Sequence, residues 1–245
     1  MTLSSRIVTL CESHGLRLVV SFFLDGMKRD RVIAFIDGFN LYHAIANLKR
    51  PYLKWLDLFL LSKQFVKSVS EELTKVLYFS ALAEHLNESA QKRQQAYIRA
   101  LEIRGVQPVL GHFKNKDRRC PDCSYKWIGH EEKATDVNIA LRLLDHAYRD
   151  EFDRAILITN DSDLAPAIEL VRHRFPMKRV TTIVPPHRYH SNELIQASSD
   201  KSKIRREHLE RCLLPEKVFD ASGLIAIQRP KEYDPVGAML SHASH

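Results

Sequence analysis

Residues 155–159, Ala-Ile-Leu-Ile-Thr, form a short apolar run, and within two residues it gives way to Asp161-Ser162-Asp163. A run of this kind reads as a strand covered on both faces. Leu164, Ala167, Ile168 and Val171 then recur at helical spacing. Pro166 has no N–H to donate and is tolerated only in a first helical turn, so the helix starts near Ser162. Two carboxylates thus stand where a buried parallel strand turns into a helix, the edge of an open α/β sheet at which ligands bind. The same residues also make ordinary caps, with Asp161 or Ser162 at the N-cap and Asp163 against the helix dipole.

The pattern recurs. Arg31–Ile36 (RVIAFI) reads as a first buried strand, ending at Asp37-Gly38-Phe39-Asn40. Leu41, Ala44, Ile45 and Leu48 mark the helix that follows. Asn40 either caps that helix or holds Asp37. Lys75–Leu82 is the second expected strand, Glu88–Arg104 a helix stopped by Gly105, and Val106–Phe113 the third strand. Lys133–Tyr148 has the clearest apolar stripe (Val137, Ala140, Leu141, Leu144, Ala147) and carries Asp136 in its first turn, where the dipole alone would also favour an acid. Ala155–Thr159 is the fourth strand and Arg179–Val184 the fifth. His187, Arg188, Tyr189 and His190 follow at the same carboxyl edge, and Lys201–Leu213 reads as a helix. Strands interleaved with helices predict a parallel sheet with right-handed crossovers.

Residues 114–132 lack periodicity and read as a loop insertion. Lys114, Lys116, Arg118, Arg119, Tyr125, Lys126 and Trp127 lie here, with Lys133 just beyond, a mixture suited to phosphate contact and base stacking. Cys120 and Cys123 form a C-x-x-C whose spacing fits half of a tetrahedral zinc site. His112, His130 or Cys212 would complete it; an unmetallated loop is the alternative, and a redox dithiol a weaker one.

With 4 Cys in 245 residues the chain is not a disulfide framework, and a reducing cytoplasm is the expected setting. No apolar run is long enough for a membrane span. The net charge of +7 suits an anionic partner. Residues 1–28 read as an N-terminal extension with Met27 as the expected working start, residues 29–214 as one domain, and residues 215–245 as an irregular tail.

If the first and fourth strands are neighbours, Asp37 comes beside Asp161 and Asp163, and the helix of Asp136 reaches the same crevice by crossing the sheet. Carboxylates so gathered raise one another's pKa, and a hard divalent cation relieves them. Mg²⁺ or Mn²⁺ in such a site polarises a phosphodiester and activates water.

Asp37-Gly38-Phe39-Asn40, Glu132-Lys133-Ala134-Thr135-Asp136-Val137 and Thr159-Asn160-Asp161-Ser162-Asp163-Leu164, in that order, resemble the three motifs of the NYN-domain family of PIN-like (LabA-like) nucleases. The resemblance covers roughly residues 31–185. It implies a three-layer α/β/α Rossmann-like sandwich with a five-stranded, mostly parallel sheet in the order 3-2-1-4-5. It also implies metal-dependent RNA cleavage, with Asp37, Asp136, Asp161 and Asp163 as the Mg²⁺- or Mn²⁺-binding acids and Asn40 in support. Many relatives have glycine where Ala134 and Asn160 stand; asparagine tolerates a left-handed conformation, whereas alanine alters the helix start. RNA is then the expected partner, contacted by Lys114, Lys116, Arg118, Arg119, Trp127, Lys133 and Arg188, with a homo-oligomer as a further expectation. Alternatives are a non-catalytic RNA-binding or partner-recruiting module and, more remotely, a small-molecule phosphohydrolase. Aspartyl-phosphate enzymes generally need a second Asp two residues after the first, and Phe39 occupies that place.

Overall fold

The computed structural model describes residues 28–82 and 86–235. The expected extension up to Met27 lies outside the described residues. The central strand β1 (Asp30–Asp37) is buried over its last six positions, as a two-sided apolar run requires. Its alternate side chains feed two cores. Val32, Ala34 and Ile36 pack with Leu41 and Ile45 of α1 (Gly38–Ala46), Leu61 of α2 (Leu58–Lys63) and Leu101 of α3 (Glu88–Ile103). Ile33 and Phe35 face the opposite side. They pack with Ile139 and Leu143 of α4 (Thr135–Tyr148) and with Ile168 and Val171 of α5 (Ala165–Arg174). Helices therefore cover both faces, giving the three-layer sandwich. Phe35 is fully buried, with ring centroids of Phe79 and Phe152 each 6.4 Å away. Its truncation to alanine is worth about 3–5 kcal/mol.

The remaining strands are β2 (Glu71–Leu82), β3 (Val106–Arg119), β4 (Lys126–Lys133), β5 (Arg154–Ile158), β6 (Arg179–Val184) and β7 (Asp200–Lys203). They form one sheet in the order β4-β3-β2-β1-β5-β6-β7. All pairs are parallel except β3 with β4. The expected sheet of five strands is thus corrected to seven, with one strand added at each edge. The strand order reverses direction between β1 and β5, which makes their carboxyl ends the topological switch point.

Three expectations are corrected. Residues 114–132 are a long antiparallel hairpin, paired from His112↔Lys133 to Arg119↔Lys126. Residues of both kinds, charged and aromatic, are tolerated at this sheet edge, so no apolar alternation marks it. The expected helix over Lys201–Leu213 is split: β7 comes first, then the short helix α7 (Arg206–Arg211), which follows α6 (Asn192–Ala197). The supposed irregular tail contains the hairpin of β8 (Lys217–Phe219) and β9 (Ile225–Gln228). Val218, Ile227 and Tyr233 from this segment close a third apolar cluster around Trp55 and Ala100.

Candidate active site

Asp37 ends β1 and caps α1, its Oδ1 accepting the Asn40 backbone N–H at 2.9 Å. The β1–β5 register pairs Ile36 with Ile158, so Asp37 comes level with Thr159 one step further on. Thr159 Oγ1 donates to Asp37 Oδ2 at 2.9 Å and accepts the Asp161 backbone N–H at 3.0 Å. Both Asp37 and Thr159 are buried. One hydroxyl therefore ties the first acid to the loop bearing the next two. A second tie runs from the Asn160 backbone N–H to Asn40 Oδ1 at 3.3 Å.

Asp161 caps a 3-10 turn over Ser162–Leu164, accepting the Asp163 N–H at 3.0 Å, and α5 begins one residue later with Pro166 in its first turn. The capping reading is therefore true as well; capping uses only part of the acceptor capacity of Asp161. Asp136 stands in the first turn of α4, which crosses the sheet against β1 and β2 and packs on α5. Burial pushes the Asp136 carboxyl above its usual range, and the charges of Asp161 and Asp163 push it further. Asp136 thus meets the charges of two acids from another part of the chain.

Ala134, at the N-cap of α4, has φ 73° and ψ 2°, the left-handed region that favours glycine. Asn160 is not among the residues of positive φ. The left-handed position at this rim is thus Ala134, whose backbone carries the strain. Gly38 answers a different need, close approach. A Cβ there would stand 2.5 Å from the Phe79 carbonyl oxygen and against the Tyr78 ring.

The donor set fits a hard cation in its chemistry. It offers carboxylate oxygens that repel one another and, beside them, Asn160 Oδ1, which is buried without a hydrogen-bond partner. Among the described residues, no group of three or more His, Cys, Asp or Glu stands at metal-holding spacing. Asp37, Asp136, Asp161 and Asp163 are neighbours at one rim, and their side chains would have to close on an ion.

Among the described residues, neither His112 nor Cys212 joins the cysteine turn. Cys120 and Cys123 lie in the turn of the hairpin, as free thiols. Backbone N–H groups of Cys123 and Asp122 lower the Cys120 thiol pKa. His112 is eight residues down an extended strand from Cys120, roughly 25 Å at strand rise. The backbone of His130 lies opposite Asn115, well below the turn. Cys212 is buried in the core under α7, its pKa pushed up to about 11 chiefly by burial.

Strand β4 delivers the chain directly into Ala134 and Asp136, so the basic hairpin projects from the acid rim. Lys116, Arg118 and Arg119 are exposed. Trp127 is paired across from Arg118, and its ring stacks on Tyr125 with centroids 6.2 Å apart. Lys114 and Lys133 lie on the hairpin strands at its base. Arg188 follows β6 at the carboxyl edge and acts electrostatically on His43 of α1. Sequence reasoning missed Thr159 as a tether, and it missed His43 and Lys54. The signal for His43 was its place one turn beyond Asn40 on the exposed face of α1.

An α/β/α sandwich with acids converging at its switch point has the architecture of a PIN-like nuclease domain. Residues 31–204 match the NYN domain, and the chain belongs to that family. It is similar to 6-hydroxy-3-succinoylpyridine 3-monooxygenase of Pseudomonas putida, 28% identical over 76% of this chain and 70% of the relative. Among solved structures, a protein of unknown function from Vibrio parahaemolyticus is similar at 20% identity. That match covers 76% of this chain and 97% of the other, with a TM-score of 0.49. No helix among the described residues is long and apolar enough to cross a membrane.

Proposed function

We propose that the protein is a Mg²⁺- or Mn²⁺-dependent ribonuclease that hydrolyses phosphodiester bonds at the carboxyl rim. The observation that carries this reading is the tether of Asp37 through Thr159 to the loop of Asp161 and Asp163, whose charges also reach Asp136. Asp37, Asp136, Asp161 and Asp163 would hold the ion, which when bound polarises the phosphodiester and activates water. Thr159 and Asn40 fix the orientation of Asp37 and of the 160–161 backbone, so that Asp37 stands ready while the other acids would close on the ion. The hairpin bearing Lys116, Arg118, Arg119 and Trp127, with Arg188 across the rim, would seat an RNA backbone by charge and stack its bases.

Cleavage of a mixed-sequence RNA with added Mn²⁺ tests this. Turnover should vanish with chelator and in Asp161→Asn, while RNA is still retained on a filter. Turnover that survives both treatments contradicts it. A second reading is a non-catalytic RNA-binding module, favoured by the lack of a preformed three-ligand group among the described residues. RNA retention with no turnover under any divalent ion would establish that reading instead. The name of the Pseudomonas putida relative makes small-molecule oxidation a third outcome to be monitored in the same preparations.

A further inference from the structure

A cavity of about 400 Å³ lies between α1, β2 and α3, and its wall includes Gly38, the residue after Asp37. That volume is in the range of small-molecule sites. The wall is rich in rings: Phe39, Tyr42, Tyr78, Tyr97, Phe113 and Tyr233. The deeper rings are held in place. Tyr97 donates its hydroxyl to the Leu56 carbonyl at 2.9 Å, and Tyr78 meets Tyr97 edge-on at 6.2 Å between centroids. The outer rings are wet, with Phe39 45% and Tyr42 46% exposed. A flat ring entering here would stack on faces that are already positioned.

The mouth is positive. Lys54 Nζ donates to the Tyr42 hydroxyl at 3.0 Å and has no carboxylate partner among the described residues. His43, also in the wall, feels the charges of both Arg188 and Lys54. Partial desolvation in the wall and these two cations lower the His43 pKa. Arg93, at the other side, is already engaged by Glu232 at 2.8 Å. An anion is therefore favoured on the Lys54 side, next to Tyr42 of α1.

We propose that this cavity binds a planar aromatic ring carrying an anionic group, the ring among the tyrosines and the anion beside Lys54. One nucleotide of an RNA strand and a free aromatic acid share that chemistry. In the first case the cavity selects the base next to the cleaved bond, and in that form it rests on the ribonuclease reading. Ring binding itself does not.

Calorimetric titration with adenosine 5′-monophosphate and with 2-naphthoate tests this on the wild type, Ala90→Trp and Asp161→Asn. Ala90 lines the cavity and is half-buried, so tryptophan fills the space without touching the acids. The wild type should bind at least one probe. Ala90→Trp should weaken it about tenfold or more, the scale of removing one stacked ring. Asp161→Asn should bind as the wild type does, even where cleavage is abolished, which separates failure of this site from failure of the hydrolytic one. Tighter binding of the nucleotide assigns an RNA base, and tighter binding of naphthoate a free aromatic acid. Silence with both probes, or undiminished binding by folded Ala90→Trp, overturns the proposal. Should Ala90→Trp fail to fold, Lys54→Met replaces it: weaker binding of both probes supports the site, and unchanged binding overturns it.

Discussion

The Thr159 hydroxyl and the Asp37 carboxylate are joined at 2.9 Å across the β1–β5 boundary, and both groups are buried. The bond makes the position of the first acid a property of the sheet rather than of a mobile side chain. Thr159→Val keeps the branched shape but removes the hydroxyl that donates to Asp37 Oδ2 and accepts the Asp161 N–H. Chemical denaturation should show a loss of about 1–3 kcal/mol. On the ribonuclease reading, turnover should fall by at least about tenfold with little change in RNA affinity, since the acid is misplaced while the basic hairpin that seats the RNA is untouched.

Asp136→Asn should separate stability from activity. The Asp136 pKa is raised, by burial first and then by Asp161 and Asp163, so its ionised form opposes folding at neutral pH. Removing the charge should stabilise the metal-free protein by on the order of 1 kcal/mol, read as a higher melting temperature, while cleavage is lost. In the wild type, the same shift means that protons compete for this ligand at a higher pH than for an ordinary aspartate. Divalent-ion affinity should accordingly start to fall at a higher pH on acidification.

Ala134→Gly should raise stability by about 1 kcal/mol, because glycine reaches φ 73° without the steric cost that alanine meets. A loss of stability on thermal melting would show that the Ala134 side chain contributes packing that outweighs the strain.

At the opposite end of the sheet, Arg154 donates to both carboxylate oxygens of Glu71, at 2.9 Å and 2.6 Å, and both residues are buried. Glu71→Ala should cost about 3–5 kcal/mol by stranding a buried guanidinium. Burial opposes ionisation of Glu71, but Arg154 outweighs it and holds the carboxyl below its ordinary 4.5. The stabilisation is whole above that value and is lost as pH falls through the lower, folded one. Asp153, held at about 2 by Arg31, behaves alike, so acid unfolding should set in below about pH 4 and weaken in Glu71→Ala.

The inner strands were legible because a strand buried on both faces reads as an apolar, β-branched run, as in Val32–Ile36 of β1 and Ala155–Ile158 of β5, with the buried Thr181 and Thr182 of β6 flanked by valine and isoleucine. The strand-to-acid junctions at Asp37 and Asp161 were legible for the same reason: polarity changes abruptly where the apolar run ends. The 114–132 hairpin was not legible, since an edge pair exposed on its outer face need not alternate. Nor was the dispersal of His112 and Cys212 from the cysteine turn, because spacing along a chain says nothing about an extended hairpin that carries its tip away. The cavity behind Gly38 draws its rings from residues as far apart as Phe39 and Tyr233, a convergence only the fold creates.

The sharing of one cation by acids from three parts of the chain is tested most directly by growing crystals in Mn²⁺ and recording anomalous differences. A single peak at the rim, in contact with Asp161 and with Asp37 or Asp136, is the expected result. Saturating Mn²⁺ that leaves no peak among these carboxylates, in crystals of protein that cleaves RNA, would contradict it.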